Sequence, residues 1–149
     1  MNRRYFDMDN VLVDFGSGIA KLDSKTIEEY ARMLDEVPCI FSLLEPMSAA
    51  IESVHKLAVM YEVYILSTAP WKNPSAWADK VAWVTKYFDG VFQKRMILTH
   101  HKDFLKEVFQ IDNRPKHGAD SFDGEYIQFG SDEFPDWPAV VEYLNNKAD

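Results

Sequence analysis

A chain of 149 residues has the usual size of one domain and is long enough to bury a core. Apolar residues make up 47% of it, with ten Phe, seven Tyr and four Trp, which excludes a disordered chain. The net charge of −8, with no Lys/Arg cluster longer than two, argues against binding a nucleic-acid polymer, which needs concentrated positive charge to displace counterions.

In chain order, "RRYF" predicts a short strand that runs into the acidic stretch "DMDN". Burying Asp7 and Asp9 unpaired would cost several kcal/mol or force them to neutralise, so they belong at a strand end, within reach of water, a cation or a ligand. "LDSKTIEEYARMLDE" predicts a helix capped by Asp23 or Ser24, with Glu28 and Glu29 in its first turn and Pro38 ending it. "EPMSAAIESVHKLAVMY" predicts a second helix with its proline in the first turn and Met47, Ile51, Val54 and Ala58 on one face. Cys39, the only cysteine, allows no intramolecular disulfide and no multi-cysteine zinc site, and is expected as a small core thiol.

"EVYILST" is a β-rich run that ends in two hydroxyls, followed by the loop "APWKNP". "PSAWADKVAWVTKYF" shows helical spacing through Trp77, Val81, Val84 and Phe88. "RMILT", "EVFQID" and "EYIQF" predict three further strands, and "FPDWPAVVEYLNN" a last helix with Pro138 in its first turn. "MNRRYFDMDN" has no hydrophobic targeting core and no apolar run approaches membrane-spanning length, so no membrane partner and a cytoplasmic location are expected. His100 and His101 are neighbours on one segment and are expected to face different ways, which disfavours a zinc role.

Strands alternating with amphipathic helices imply βαβ crossovers and a mainly parallel sheet, whose ligands gather beyond the carboxyl ends of the strands. The residues just after the strands are Asp7 and Asp9, Ser67 and Thr68, the "THHK" stretch with Lys102, and Asp112 with Asn113. Acids, hydroxyls and a lysine are thus expected to converge from four parts of the chain. One aspartate could attack phosphorus while its neighbour handles a proton, with oxygen ligands for Mg²⁺ and a lysine to neutralise charge.

"DMDNVLVDF", "ILST", Lys102 and "IDNRP" resemble, in order, the four motifs of the haloacid dehalogenase-like phosphohydrolases. "LEPMSAAIESVHKLAVMYEVYILSTAP", "ADKVAWVTKYF" and "ILTHHK" are similar to segments of the 5′(3′)-deoxyribonucleotidases, a resemblance that runs over roughly residues 4–115. It implies a Rossmann-like, doubly wound α/β domain over residues 1–149, with about 16–44 forming a reduced helical cap after the first strand. It also implies Asp7 as nucleophile, forming an aspartyl-phosphate, and Asp9 as general acid and base. Mg²⁺ would be held by Asp7, the Asp9 carbonyl and Asp112 or Asn113. Ser67 and Lys102, helped by Thr68 and Lys72, would bind the phosphoryl oxygens of a small phosphomonoester such as a nucleoside monophosphate.

Three departures qualify the resemblance. Asn113 stands where the relatives read a second acid, and "THHK" stands where they tend to read TRDK. The stretch between Asp14 and Glu45 is much shorter than the insertion that caps the nucleobase in the mammalian relatives, leaving Phe15, Phe41 and Trp71 as candidate pocket walls and raising a homodimer as a way to complete the site. A phosphatase for another small metabolite such as a sugar phosphate, or a catalytically weak phosphate- or nucleotide-binding module, are the competing expectations.

Overall fold

The computed structural model describes residues 2–105, 110–113 and 126–147. Its first strand, β1 (Arg3–Phe6), is followed by β2 (Val13–Asp14) and then α1 (Phe15–Ile19), α2 (Ser24–Glu29) and two 3₁₀ turns, Leu34–Glu36 and Ile40–Leu43. The chain returns through β3 (Glu45–Pro46), α3 (Ala50–Met60), β4 (Glu62–Ser67), α4 (Pro74–Phe88) and β5 (Met96–Leu98). A 3₁₀ turn at Lys102–Phe104, β6 (Gln110–Asp112), β7 (Tyr126–Gln128) and α5 (Trp137–Lys147) complete the described elements.

Five strands form one parallel sheet in the order β5-β4-β1-β6-β7. From β1 the chain moves outward through β4 to β5 and then crosses back to β6 and β7, so the winding reverses at β1. Phe6 is in register with Ile65 on one side and Ile111 on the other, which brings the carboxyl ends of β1, β4 and β6 level. A cleft for ligands at that reversal is the expected property of an open parallel sheet.

Side chains alternate across β1. Phe6 enters the larger core with Ile65, Ile111 and Ile127, and with Val54 and Leu57 of α3, Trp83 and Phe88 of α4, and Val140 and Leu144 of α5. Tyr5 lies in a smaller cluster with Leu66, flanked by Tyr64, Ile97 and Leu105. Trp137 is fully buried, sets its ring edge-on to Phe6 at 5.4 Å, and donates its indole N–H to the Val11 carbonyl at 2.7 Å. That bond fastens the loop after β1 to the last helix.

The predicted helix over 22–36 is in fact two short pieces. Asp23 caps α2 by accepting from the Thr26 N–H at 2.7 Å, but the helix stops at Glu29, so Glu28 and Glu29 sit at its end rather than in its first turn. Pro46 does not open α3: it lies in β3, paired antiparallel with Val13 of β2, and the helix begins at Ala50. This small two-stranded ribbon is where the chain leaves and re-enters the parallel core. Cys39 is exposed rather than buried, in a left-handed backbone conformation with φ 65°.

Asn73 holds the 34–43 segment to the loop after β4. It is 2% exposed and donates to the Asp35 and Val37 carbonyls at 2.9 and 3.0 Å, while its own side-chain oxygen accepts from the Ser75 hydroxyl at 2.6 Å. Removing it leaves the buried Val37 carbonyl and the part-buried Asp35 carbonyl without their donor. Asn73→Ala is expected to lower stability by about 2–3 kcal/mol in denaturant unfolding.

Candidate active site

The loop after β1 curls so that both acids face one region. The N–H groups of Val11, Leu12 and Val13 all point at the Met8 carbonyl, at 3.1, 2.9 and 3.0 Å, and Asn10 adopts φ 57° to allow the turn. Met8 is 1% exposed and turns into the core, which leaves Asp7 and Asp9, its neighbours on either side, out of it. Asp7 is nonetheless buried, its backbone N–H bonded to the Ile111 carbonyl at 2.9 Å.

Two lysines organise what surrounds the acids. Lys102, on the turn after β5, places its ammonium 3.4 Å from Asp7 Oδ1 and 3.0 Å from Asp112 Oδ2. Asp112 ends β6 and also accepts from Gln110 Nε2 at 3.0 Å. The second lysine is Lys80, which the sequence analysis passed over. It is fully buried and donates to Ser67 Oγ at 2.9 Å and the Thr68 carbonyl at 2.8 Å, with Asp9 Oδ1 at 3.4 Å. The Phe41 ring lies under it, 4.7 Å away.

The sequence carried a signal for Lys80. The buried stripe of α4 is Ala76, Lys80, Trp83, Val84 and Phe88, so a lysine falls on a face that is otherwise apolar. Val81, expected on that face, is 51% exposed. Burial lowers the Lys80 pKa, opposed by the Asp9 and Asp7 charges. Asp7 moves the other way: burial pushes its carboxyl up to about 7, against the pull of Lys102 and with the repulsion of Asp112 and Asp9 adding to the rise.

The residues read from the sequence divide by where they lie. Asp7, Asp9, Ser67, Thr68, Lys102 and Asp112 are joined through the two lysines. Ser67 is fully buried, and the Thr68 hydroxyl is already committed to the Thr99 carbonyl at 2.9 Å. Lys72 is exposed and makes no hydrogen bond or ion pair to these groups among the described residues. Phe41 is 1% exposed and offers no face to a ligand, because Lys80 covers it and Phe15 packs against it at 5.8 Å. Phe15 is half-buried and Trp71 is 78% exposed. Arg114 and Pro115 of the fourth motif lie outside the described residues.

The donors around Asp7 bear on whether a divalent cation fits there. No group of three or more His, Cys, Asp or Glu side chains is poised for a metal among the described residues. Two carboxylates, Asp7 and Asp112, flank Lys102, and the Asn113 side-chain oxygen is buried with no hydrogen-bond partner among the described residues. An orphaned buried oxygen on the residue next to Asp112, with Asp7 and Asp112 sharing one lysine, fits Mg²⁺, which keeps several waters and needs only one or two carboxylates from the protein. His100 and His101 take no part, since their rings pack against Trp71, Trp77 and Phe104.

Residues 25–134 match the family model described as "5' nucleotidase, deoxy (Pyrimidine), cytosolic type C protein". The chain belongs to that family. Within it, a protein of Vibrio phage KVP40, provisionally named 5′(3′)-deoxyribonucleotidase, is 49% identical over 143 residues, 96% of this chain and 84% of its own length. The human mitochondrial 5′(3′)-deoxyribonucleotidase is 30% identical over 138 residues, 73% of this chain and 60% of its own length. Among solved structures, a haloacid dehalogenase-like hydrolase from Streptococcus pneumoniae superposes with TM-score 0.56 at 14% identity, covering 96% of this chain and 90% of that one. A haloacid dehalogenase-like hydrolase from Xanthomonas campestris gives TM-score 0.54 at 15% identity, covering 99% and 97%. These two show the shared fold, and family membership makes the chain a phosphohydrolase of the 5′-nucleotidase type. No helix among the described residues is long and apolar enough to cross a membrane.

Proposed function

We propose that this nucleotidase-family chain hydrolyses (deoxy)nucleoside monophosphates in a Mg²⁺-dependent reaction through an aspartyl-phosphate on Asp7. The observation that carries the reading is the placement of Asp7: buried, at the end of the central strand, with Lys102 bridging it to Asp112 and with Asp9 beside it on the Lys80 side.

An Asp7 carboxylate oxygen attacks phosphorus and forms the P–O bond to the enzyme as the ester P–O bond to the nucleoside breaks. Asp9, 29% exposed at its side chain and so open to substrate, gives a proton to the departing alkoxide. It then takes a proton from the water that attacks the phosphoryl group. Inorganic phosphate leaves and the Asp7 carboxylate is restored. Asp7 must be ionised to begin; burial opposes this, and Lys102 at 3.4 Å favours it. Lys102 and the β4 end at Ser67 and Thr68 receive the phosphoryl oxygens. Asp7, the Asp9 carbonyl, Asp112 and Asn113 would hold Mg²⁺, which when bound adds positive charge against the phosphoryl oxygens.

The test is hydrolysis of dUMP and dTMP compared with 2-deoxyribose 5-phosphate and other sugar phosphates. A preference for the nucleotides is expected. Equal or faster turnover of the sugar phosphates would assign the site to another metabolite. Chelation with EDTA is expected to lower the rate by about 100-fold or more, restored by added Mg²⁺; phosphate release that ignores both treatments would remove the metal from the reading.

A further inference from the structure

Beyond the acids and lysines lies a group of rings that this chemistry does not use. Trp71 is 78% exposed and Phe104 73% exposed, unusual for such large apolar side chains. The His100 ring touches two indoles, Trp71 in a T-shaped contact at 5.9 Å and Trp77 at 5.8 Å. His101 stacks on Phe104 at 4.7 Å with the planes 8° apart.

The position of these rings is informative. Trp71 follows Ser67 and Thr68 on the loop after β4. His100, His101 and Phe104 flank Lys102 after β5. Trp77 is one helical turn before Lys80 on α4, whose ammonium reaches Asp9. The rings therefore stand on the same two loops as the groups that would hold the phosphoryl oxygens. The insertion between β2 and β3, by contrast, has its Phe41 buried beneath Lys80 and leaves Phe15 only half-exposed.

We propose that Trp71, steadied by its contact with His100, is the platform on which the nucleobase of the substrate stacks. The contact with His100 leaves most of the indole open, since Trp71 is 78% exposed. An exposed indole gives a large, stiff stacking surface that accepts any base, and His and Trp are both residues on which bases stack. The occupant is the substrate's own base because the platform begins on the loop that carries Ser67 and Thr68. This rests on the nucleotidase reading above.

The experiment measures kcat/KM for dUMP and for 2-deoxyribose 5-phosphate, which has the same sugar and phosphate and no base. Wild type, Trp71→Ala and Trp71→Phe are compared. The ratio of the two kcat/KM values is expected to fall about tenfold in Trp71→Ala, through KM, and to recover largely in Trp71→Phe. Titration with dUMP should quench tryptophan emission in wild type, much less in Trp71→Phe, and 2-deoxyribose 5-phosphate should quench neither. An unchanged ratio in Trp71→Ala, with wild type still preferring dUMP, overturns the platform alone. So does a change of oligomeric state in sedimentation with the ratio unmoved, which would make the rings a protein contact. Wild-type protein that hydrolyses no nucleotide overturns the nucleotidase reading itself.

Discussion

Asp7→Asn is expected to lower phosphate release by at least about 10⁴-fold in steady-state assays, because an amide cannot form the acyl-phosphate. The fold should survive, and the metal-free variant should be the more stable protein. The Asp7 carboxyl titrates at about 7 in the folded chain, against 3.8 for an ordinary aspartate. Between those values the folded state holds a proton that the unfolded state has released. The contribution of this group to stability is therefore fully present below about pH 4 and is lost as pH rises through about 7. At pH 8 in EDTA the variant should exceed wild type by about 2 kcal/mol in denaturant unfolding, and the difference should shrink towards pH 4. The same negligible phosphatase rate in wild type and variant, with both still binding ligand, would make the chain a binding module instead. A beryllium fluoride adduct on Asp7 would be the direct sign of the intermediate.

Lys80→Met is the second substitution with a large expected effect. Lys80 has no exposed surface, and its three polar partners are Asp9, Ser67 and the Thr68 carbonyl. Methionine keeps the length and apolar stem but leaves Asp9 without its counter-charge and Ser67 Oγ without its donor. A loss of about 100-fold in kcat/KM is expected, since Asp9, the proposed proton carrier, and the β4 end lose the tie that aligns them. Stability should fall as well, by about 2–3 kcal/mol, because Asp9, Ser67 Oγ and the Thr68 carbonyl all lose their partner. Retained activity in a folded Lys80→Met protein would show that the alignment does not depend on this lysine. An Arg replacement should not rescue, as the fully enclosed position has no room for a guanidinium.

The two substitutions separate the two halves of the site. Lys102 joins Asp7 to Asp112 across the ends of β1 and β6; Lys80 joins Asp9 to the end of β4. Each lysine thus ties one of the two aspartates to the end of a neighbouring strand, Asp7 to β6 and Asp9 to β4.

Much of this arrangement was legible without coordinates. Strand-end chemistry alone marked Asp7, Asp9, Ser67 and Asp112, because carboxylates and hydroxyls after apolar runs have few other uses in an alternating α/β chain. The spacing of α4 was equally clear, and its bounds, Pro74–Phe88, agree with the predicted segment. Lys80 was harder, since the apolar stripe is displaced from the one read through Trp77 and Val81, and only packing fixes which stripe turns inward. Phe41 was misplaced for a related reason: an aromatic residue reads the same whether its ring lines a pocket or is buried under a lysine. Pro46 suggested a helix start by local preference, but pairing of β3 with β2 claimed it first.

The sequence by itself determined the alternation of the sheet strands with α3, α4 and α5, the chemical class of the residues at the strand ends and the family to which the chain belongs, since all three depend on local pattern and residue identity. Tertiary structure decided which cation serves which acid, that Asp7 is buried enough to titrate near neutrality, and that Trp71 rather than Phe41 presents a free ring. Those outcomes depend on distances between residues far apart in the chain, and on the exclusion of water by neighbours that no local pattern names.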